Sequence, residues 1–457
     1  AGNFTMPTIP NGTSVVSFTL AAYAPQSRTI QVSPTIETSL IVQMVPNGAT
    51  TPPTFDPTVP TTLTVTGSTA QVVINGGLRD VNGNPPPGTS VNAVVTPIGP
   101  SLDAYLLPGE FVVTQAAGGN APFETFGGVD VRITDPAGNP LSGAFAAPAS
   151  ISIPVDTRFG GALPATVALM RLDPVTGLWI EDGTATLQGS APNQFYGGSI
   201  SRIATWTAGQ VYLTTNVTMC VEDTNGVRVP NARVYSDGID YSGGGTAWTN
   251  SSGVAVVPMK RGGAAIISAN SPRSSNSISV DAVISLSPNI SQPQCLIMPT
   301  AGMTIRLTWG SSPADLDSHL KGPNNVHVFF ITTGSLISAP FARLDVDDIS
   351  SFGPEVITIT RLTQGVHEYF VHNYSRSINA LAAGMTTSPT RVEVRVGSQI
   401  RLYRPGTGEG ANEYWRVFQF MVNPDCSVTI NALTNSWAAP GAEPANPAGT
   451  ATGAICN

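Results

Sequence analysis

Short runs of β-branched and apolar residues, each ended by a Gly or Pro turn, repeat along this chain and restrict its fold more than any other feature. Between residues 60 and 173 they include "TLTVTG", "AQVVING", "SVNAVVTPI", "VDVRIT", "SISIPV" and "ATVALMRLD". Alternating apolar and polar residues are typical of strands that bury one face, and frequent turns between short strands are typical of β-sandwiches. The pattern predicts an all-β chain of tandem antiparallel β-sandwich domains.

The composition disfavours helices as well. Gly contributes 46 and Pro 39 of the 457 residues, and both residue types interrupt helices. At about 150 residues per domain, a chain of this length is expected to hold about three domains. We expect an N-terminal extension over residues 1–59, β-sandwiches over 60–214 and 215–298, and a C-terminal β-sandwich over 299–457.

Sparse charge argues against several classes of function. Only 11% of the residues are charged and the net charge is −8, so a nucleic-acid partner is not expected. No apolar run reaches ~18 residues, which argues against a transmembrane segment. The chain begins without Met, and we expect that a signal peptide has been removed. A nucleophile elbow, a Walker loop and a dinucleotide fingerprint are all missing from the sequence, so we expect no enzymatic activity and no catalytic residues.

The four cysteines suggest a disulfide framework rather than a metal site. Cys220, Cys295, Cys426 and Cys456 contain no Cys-x-x-Cys pair, which argues against a zinc knuckle. The first two bracket the predicted domain at 215–298, and the last two close the C-terminal tail. We expect disulfides between Cys220 and Cys295 and between Cys426 and Cys456. Disulfides persist in oxidising compartments, so an extracellular or cell-surface location follows.

One amphipathic strand precedes the first predicted domain. In "SVVSFTLAA", residues 14–22, the apolar side chains of Val16, Phe18 and Leu20 alternate with Ser17 and Thr19. The surrounding extension is rich in Pro, Thr and Asn and holds too few apolar residues for a core of its own. The strand must therefore pack on its own next domain or on a neighbouring subunit, and it is a candidate donor strand for assembly with copies of the same chain.

Residues 215–298 resemble a carboxypeptidase regulatory-like module of the transthyretin type. The resemblance rests on "VTMCVEDTNGVRVPNARVYSDG", in which Val221 to Val234 follow the pattern V-x-D-x-x-G-x-x-x-P-x-A-x-V, and on "GTAWTNSSGVAVVPM". It implies a seven-stranded β-sandwich without catalytic function. The stretch before it, from "LPGEFVV" to "EDGTATL", resembles the β-rich region that precedes such modules in bacterial secreted proteins.

Residues 299–457 resemble a bacterial family of secreted β-sandwich domains called YfaP-like. The matching segments are "IRLTWGSSPADLDSHLKGP", "ARLDVDDISSFGPEVITI" and "HEYFVHNYS", which carry Leu-x-Trp, Asp-Leu-Asp-x-His, Leu-Asp-x-Asp, Gly-Pro-Glu and His-Asn-Tyr in order. The match is good over the first half of the domain and poor in the tail. The resemblance implies a location and a fold but no reaction.

The segment "ADLDSHL" places three ionisable groups on one strand face. Asp315, Asp317 and His319 are two residues apart, and Asp345 and Asp347 share a face of a later strand. Carboxylates with carbonyl oxygens suit a structural Ca²⁺ ion, and an added imidazole shifts the preference toward Zn²⁺ or Mn²⁺. The alternative is that these acids pair with arginines, for which Arg306, Arg343 and Arg361 are available.

Two further features suggest carbohydrate. The segment "EYWRVFQF" puts Tyr414 and Trp415 on opposite faces of one strand, either of which could stack on a sugar as part of a glycan-binding surface. Asn-x-Ser/Thr sequons mark candidate glycosylation sites. The sequons are at Asn3, Asn11, Asn216, Asn250, Asn289 and Asn373.

Together these features indicate a secreted structural protein without enzymatic activity. We expect a subunit of an extracellular filament or surface assembly, joined by strand complementation between copies of the chain. The alternatives are a monomeric cell-surface adhesin or carbohydrate-binding protein and, as a minor one, a metal-dependent hydrolase that uses Asp315, Asp317 and His319.

Overall fold

The fold is almost entirely β, as the sequence predicts: 51% of the residues lie in strands and 3% in helices. The computed structural model describes residues 6, 9–32, 40, 42–79, 84–86, 88–141, 143–223, 226–270, 283–298, 302–349, 351–396, 399–447 and 454–456. The helical segments are α1 (Tyr374–Ile378) and 3₁₀ turns at Ala104–Leu106, Pro323–Asn325 and Met385–Thr387. Over this described part of the chain, no helix is both long and apolar enough to cross a membrane.

The N-terminal segment forms a β-hairpin that is a sheet of its own. Strands β1 (Gly12–Phe18) and β2 (Gln26–Val32) pair antiparallel. Val16 is buried, Phe18 is half-buried and Leu20, beyond the end of β1, is exposed. The candidate donor strand thus pairs with its own chain in the monomer.

Strand β2 docks the hairpin on the first sandwich. The backbone N–H of Thr29 donates to Glu110 Oε1 at 3.1 Å, and Arg28 Nη1 donates to the carbonyl of Leu107 at 3.2 Å. Arg28 is buried although it is charged. Hydrogen bonds therefore hold the hairpin through β2, and Val15 of β1 also lies beside Gly177 of the first sandwich.

The first sandwich is one large sheet that curls almost to closure. Its strands are β3 (Thr50–Thr51), β4 (Thr54–Phe55), β5 (Thr61–Val65), β6 (Gln71–Ile74), β7 (Val91–Ile98), β8 (Val112–Thr114), β9 (Asn120–Thr134), β10 (Ala144–Pro154), β11 (Thr166–Leu172), β12 (Trp179–Gln188), β13 (Phe195–Arg202) and β14 (Thr205–Val211). Its order runs β3-β5-β6-β10-β13-β12-β11-β14-β9-β7-β4, with β8 beside β12 and β9. The end strands β3 and β4 are two residues apart in the chain, so the sheet returns to its starting point around a core that includes Phe126, Tyr196 and Trp206.

The second sandwich packs two four-stranded sheets around a smaller core. Its strands are β15 (Thr214–Asp223), β16 (Arg233–Gly238), β17 (Gly244–Trp248), β18 (Val254–Lys260), β19 (Ala264–Asn270), β20 (Val283–Ile284), β21 (Asn289–Ser291) and β22 (Leu296–Met298). One sheet holds β18, β15, β21 and β22, and the other has the order β17-β16-β19-β20. Val217, Tyr241 and Ile267 are fully buried between them.

The third sandwich packs a six-stranded sheet on a five-stranded one. Its strands are β23 (Met303–Thr308), β24 (Asp317–Gly322), β25 (Val326–Val328), β26 (Gly334–Ser335), β27 (Ala342–Val346), β28 (Glu355–Ile359), β29 (Gly365–His372), β30 (Arg391–Val396), β31 (Gln399–Tyr403), β32 (Tyr414–Val422) and β33 (Val428–Ala438). The sheet orders are β26-β27-β28-β23-β30-β31 and β25-β24-β29-β32-β33. Trp309, Tyr369 and Phe418 fill the core between the sheets.

A buried charged junction joins the three sandwiches around Asp237 of β16. Arg158, from the first sandwich, donates from Nη1 to Asp237 Oδ1 at 2.6 Å, and Arg391, from the third, donates to Oδ2. Arg391 Nη1 also donates to the carbonyl of Leu102 in the first sandwich at 3.0 Å. Burial works to raise the pKa of Asp237, but Arg158, Arg391 and Arg306 outweigh it and hold that pKa well below its usual range.

Two further ion pairs extend this junction within the third sandwich. Glu393 accepts from Arg306 Nη2 at 3.1 Å and from Arg395 Nε at 2.5 Å. Arg395 Nη2 in turn donates to the hydroxyl of Tyr235 in the second sandwich at 2.5 Å. We use "charged junction" for Arg158, Asp237, Arg306, Arg391, Glu393 and Arg395. Removing one partner of such a buried network is costly, so the junction fixes the three sandwiches relative to one another.

Disulfides link Cys220 to Cys295 and Cys426 to Cys456, the pairing that the sequence predicts. The first closes the second sandwich, because it joins β15 to the segment just before β22. The second ties the C-terminal residues to the turn between β32 and β33. No cysteine in the described residues is free.

Candidate metal centre

The five-stranded sheet brings Asp317 and His319 beside His372. Asp317 and His319 are two residues apart in β24, so their side chains leave the same face of the strand. Antiparallel pairing sets Asp317 opposite His372 of β29 and His319 opposite Phe370. One donor atom from each of Asp317, His319 and His372 lies within 4.8 Å of the others, and all three residues are buried. We call these three residues the His–Asp cluster.

His372 is held at both ring nitrogens. Its Nδ1 lies 3.2 Å from Asp317 Oδ2, and its Nε2 lies 2.9 Å from the hydroxyl of Ser377. Ser377 in turn donates to Glu413 Oε2 at 3.1 Å. The position of Ser377 follows from α1, which Asn373 caps by accepting from the N–H of Arg376 at 3.2 Å.

His319 uses one ring nitrogen and keeps the other without a partner. Its Nδ1 lies 2.9 Å from Nε2 of His327, whereas its Nε2 has no hydrogen-bond partner among the described residues. The ring stacks on Phe370, with centroids 4.7 Å apart, and on Phe329, with centroids 5.2 Å apart. Burial and the neighbouring imidazole of His327 hold the pKa of His319 well below its ordinary value, so its ring is neutral at pH 7.

Carboxyl groups crowd the opposite side of Asp317. Donor oxygens of Asp317, Asp347 and Glu355 lie within 4.8 Å of one another. Glu355 accepts from the N–H of Ser318, while its Oε1 has no partner among the described residues. Burial and the nearby Asp317 raise the pKa of Glu355 well above its ordinary value, and burial together with Asp317 and Asp347 raises the pKa of Asp315 to about 7.

A second group of donors adjoins His319 on its Nδ1 side. His319, His327 and Glu443 each place a donor atom within 4.8 Å of the other two. Glu443 also pairs with Lys321, whose ammonium donates to the carbonyl of Pro444 at 2.7 Å. Lys321 therefore competes for Glu443, which makes this second group a poorer cation site than the His–Asp cluster.

The structure brings together part of the residue set that the sequence suggests. Asp317, His319 and Asp347 meet, and Asp315 lies near enough for its pKa to respond to two of the other carboxylates. The side chain of Asp345 lies outside the described part of the chain. His372 and Glu355 join the site although the sequence reasoning did not assign them to it. The sequence does mark both residues, because His372 lies in the His-Asn-Tyr segment and Glu355 in the Gly-Pro-Glu segment of the resemblance.

Among the described residues, no arginine forms an ion pair with Asp317, the acid of the His–Asp cluster. Arg306 pairs with Glu393 in the charged junction, and Arg361 lies over the ring of Phe341, 5.1 Å from its centroid. The ionisable neighbour of Asp317 is His372, whose Nδ1 lies 3.2 Å from Asp317 Oδ2. Arginine pairing of Asp317, which the sequence left open, is thus replaced by imidazole pairing.

The aromatic strand does not offer the sugar platform that its sequence suggests. Trp415 is 2% exposed and belongs to the core, and Tyr414 is buried with its ring stacked on His372, centroids 4.4 Å apart. A β-bulge between Arg416 and Phe418 changes the alternation of the strand, so Trp415 and Phe418 both face the core.

One candidate glycosylation site, Asn373, is buried. Asn373 is fully buried, because it caps α1 and donates from Nδ2 to the carbonyl of Ala383 at 2.9 Å. Asn11, Asn250 and Asn289 are exposed and Asn216 is half-buried, while Asn3 lies outside the described residues.

Comparisons with known proteins do not assign the chain to a family. No protein-family model and no curated protein matches it. Among solved structures, the match to a streptococcal ancillary pilin covers 55% of this chain and 92% of the pilin chain, with 10% identity and a TM-score of 0.16. A likeness at that level transfers neither architecture nor role. The resemblances of residues 215–298 and 299–457 stay predictions.

Proposed function

We propose that the chain is a non-enzymatic structural protein of an extracellular assembly, in which copies join by strand addition. The proposal is carried by one observation: the third sandwich ends in a long edge strand. Strand β33 has eleven residues and pairs in the described sheets with β32 alone. Asn431 and Asn435, among others on this strand, are exposed. A long edge strand is a template for another strand, and proteins usually cover or shorten it.

The N-terminal hairpin offers the complementary strand. In the described sheets β1 has β2 as its strand neighbour, and Arg28 and Thr29 of β2 form hydrogen bonds to the first sandwich. Pairing of β1 with β33 of another copy would satisfy main-chain donors and acceptors of both strands. Because donor and acceptor differ, the contact is heterologous and repeats from copy to copy, which builds a filament.

Location and rigidity agree with this role. Disulfides at Cys220–Cys295 and Cys426–Cys456 suit an oxidising compartment. The charged junction would keep the donor and acceptor strands at a constant geometry, which a regular filament requires. The adhesin alternative has less support, because Trp415 is buried.

The test removes β1 and supplies it again as a peptide. A chain lacking residues 1–24 keeps β2 and its contacts through Arg28 and Thr29, so it should fold. We expect it to stay monomeric in sedimentation and electron microscopy at concentrations where the full chain forms filaments. A peptide of residues 11–22 should bind the truncated chain and slow the exchange of amides in β33.

The matched control is the same peptide with Val16→Pro, which lacks a main-chain donor and should not bind. Filaments from the truncated chain, or a full chain that stays monomeric at high concentration, would show that strand addition is wrong. Binding of the peptide without protection of β33 would reject this acceptor strand.

A further inference from the structure

We propose that Asp317, His319 and His372 bind one divalent transition-metal ion of the Zn²⁺ class. The site is independent of the assembly role, because it lies inside the third sandwich. Two imidazoles and one carboxylate, all buried, offer donor atoms within 4.8 Å of one another. Three protein ligands of this kind occur in zinc sites that keep a fourth position for water.

The distances require only a small closure around an ion. With Zn–ligand distances of about 2.0–2.1 Å, tetrahedral ligands lie about 3.3–3.4 Å apart. Asp317 Oδ2 and His372 Nδ1 are separated by 3.2 Å. This pair therefore has the spacing of adjacent ligands, and His319 places its donor atom within 4.8 Å of both.

His319 presents the nitrogen that such an ion would use. Its Nδ1 is occupied by His327, so Nε2 is the free nitrogen, and it is buried without a hydrogen-bond partner among the described residues. His319 is 2% exposed, and Phe370 and Phe329 fix the plane of its ring. A buried polar atom without a partner is destabilising, and a metal–nitrogen bond would offset that cost.

Both histidines already have the outer partners that metal ligands need. A ligating imidazole usually donates its other N–H to an acceptor, which fixes tautomer and orientation. His372 Nε2 faces the hydroxyl of Ser377, which donates to Glu413, and His319 Nδ1 faces His327. With a metal bound, these partners would hold each ring while the nitrogen on the cluster side acts as the ligand.

Ligand chemistry selects this class of ion over Ca²⁺. Calcium prefers six to eight oxygen ligands, whereas imidazole nitrogens suit zinc, copper and nickel. The oxygen-rich neighbour group of Asp347 and Glu355 shares only Asp317 with the cluster. Bound metal would join β24 to β29 and, through Ser377, to α1.

The test uses the full chain after removal of metal with a chelator. We expect titration with zinc chloride to show one equivalent bound per chain and to raise the melting temperature, with no comparable rise for calcium chloride. His319→Ala and His372→Ala should each weaken zinc binding at least tenfold. His367→Ala is the matched control. His367 lies in β29 like His372 and is equally buried, but its Nε2 lies 2.8 Å from the carbonyl of Thr363, outside the His–Asp cluster. The His367→Ala variant should therefore bind zinc as the unmodified chain does.

X-ray absorption of the zinc-loaded unmodified chain keeps the test valid if the variants do not fold. We expect nitrogen or oxygen ligands at about 2.0–2.1 Å with the scattering of two imidazoles. Zinc that binds without imidazole scattering would overturn the proposal. So would folded His319→Ala and His372→Ala variants that bind zinc normally, or a melting temperature that responds to Ca²⁺ alone.

Discussion

The guanidinium of Arg391 donates directly to the carboxylate of Asp237, although the two residues lie 154 positions apart in the chain. Both side chains are 4% exposed. Arg158 donates to the other oxygen of the same carboxylate, so one acidic group receives arginines from two different sandwiches. The side chain of Asp237 is thus a point at which all three sandwiches meet.

Substituting Asp237→Asn should destabilise the whole chain. The change leaves Arg158 and Arg391 buried without their charged acceptor, and breaking a buried ion pair costs about 3–5 kcal/mol. Urea unfolding at pH 7 measures the loss. Asp182→Asn is the control, because Asp182 pairs with Arg171 at 2.8 Å on the surface and should change stability by less than about 1 kcal/mol. Equal losses in the two variants would contradict the role of the junction.

Acid should weaken the junction in a defined range of pH. Burial works to raise the pKa of Glu393, but Arg306, Arg395 and Arg391 outweigh it and lower that pKa to about 2, from 4.5. A carboxyl with a lowered folded-state pKa contributes stability above its unfolded pKa and loses it as the pH falls through the folded value. We expect the free energy of unfolding to fall from pH 4.5 to pH 2.

The control for this effect is Glu393→Gln, measured by denaturant unfolding at the same pH values. The variant should be less stable than the unmodified chain at pH 7, and the difference between them should shrink toward pH 2. A difference that stays constant across this range would show that Glu393 is not the group responsible.

Replacing Trp415 should affect stability rather than carbohydrate binding. Trp415→Ala removes a buried ring from the third core and should cost about 3–5 kcal/mol. Trp248→Ala, in β17 with a half-buried ring, should cost less. Calorimetric melting measures both. Glycan binding that is lost in a folded Trp415→Phe variant would restore the carbohydrate hypothesis.

Asn373 should behave as a helix cap and not as a glycan acceptor. Asn373→Ala removes the acceptor for the N–H of Arg376 and should cost about 0.5–2 kcal/mol, whereas Asn289→Ala on the exposed β21 should cost less than about 0.5 kcal/mol. Peptide mapping after expression in a glycosylating host should find modified Asn289 and unmodified Asn373. A glycan on Asn373 in folded protein would contradict the described burial.

Local patterns were sufficient for the strands. Alternation in "AQVVING" and "ATVALMRLD" reports directly on which face of a strand is buried, so the all-β fold follows from neighbouring residues alone. The placement of Asp317 and His319 on one strand face could also be predicted locally, because side chains two residues apart in a strand point to the same side.

Side-chain contacts that depend on the order of strands in a sheet could not be predicted from the local sequence. His372 reaches the cluster because β29 lies beside β24, and Arg158 and Arg391 reach Asp237 because three sandwiches meet there. Trp415 and Phe418 share the core face only because of a bulge that the local sequence does not mark. In each case the deciding contact joins residues far apart in the chain.

The position of Arg391 also has a consequence for biosynthesis. Asp237 is made 154 residues before Arg391, which at about 5–20 residues per second corresponds to about 8–30 s of synthesis. During that interval the first two sandwiches can fold, but Asp237 lacks both arginines of the third sandwich, Arg306 and Arg391, and stays hydrated. Docking of the third sandwich then displaces that water and supplies the missing cations.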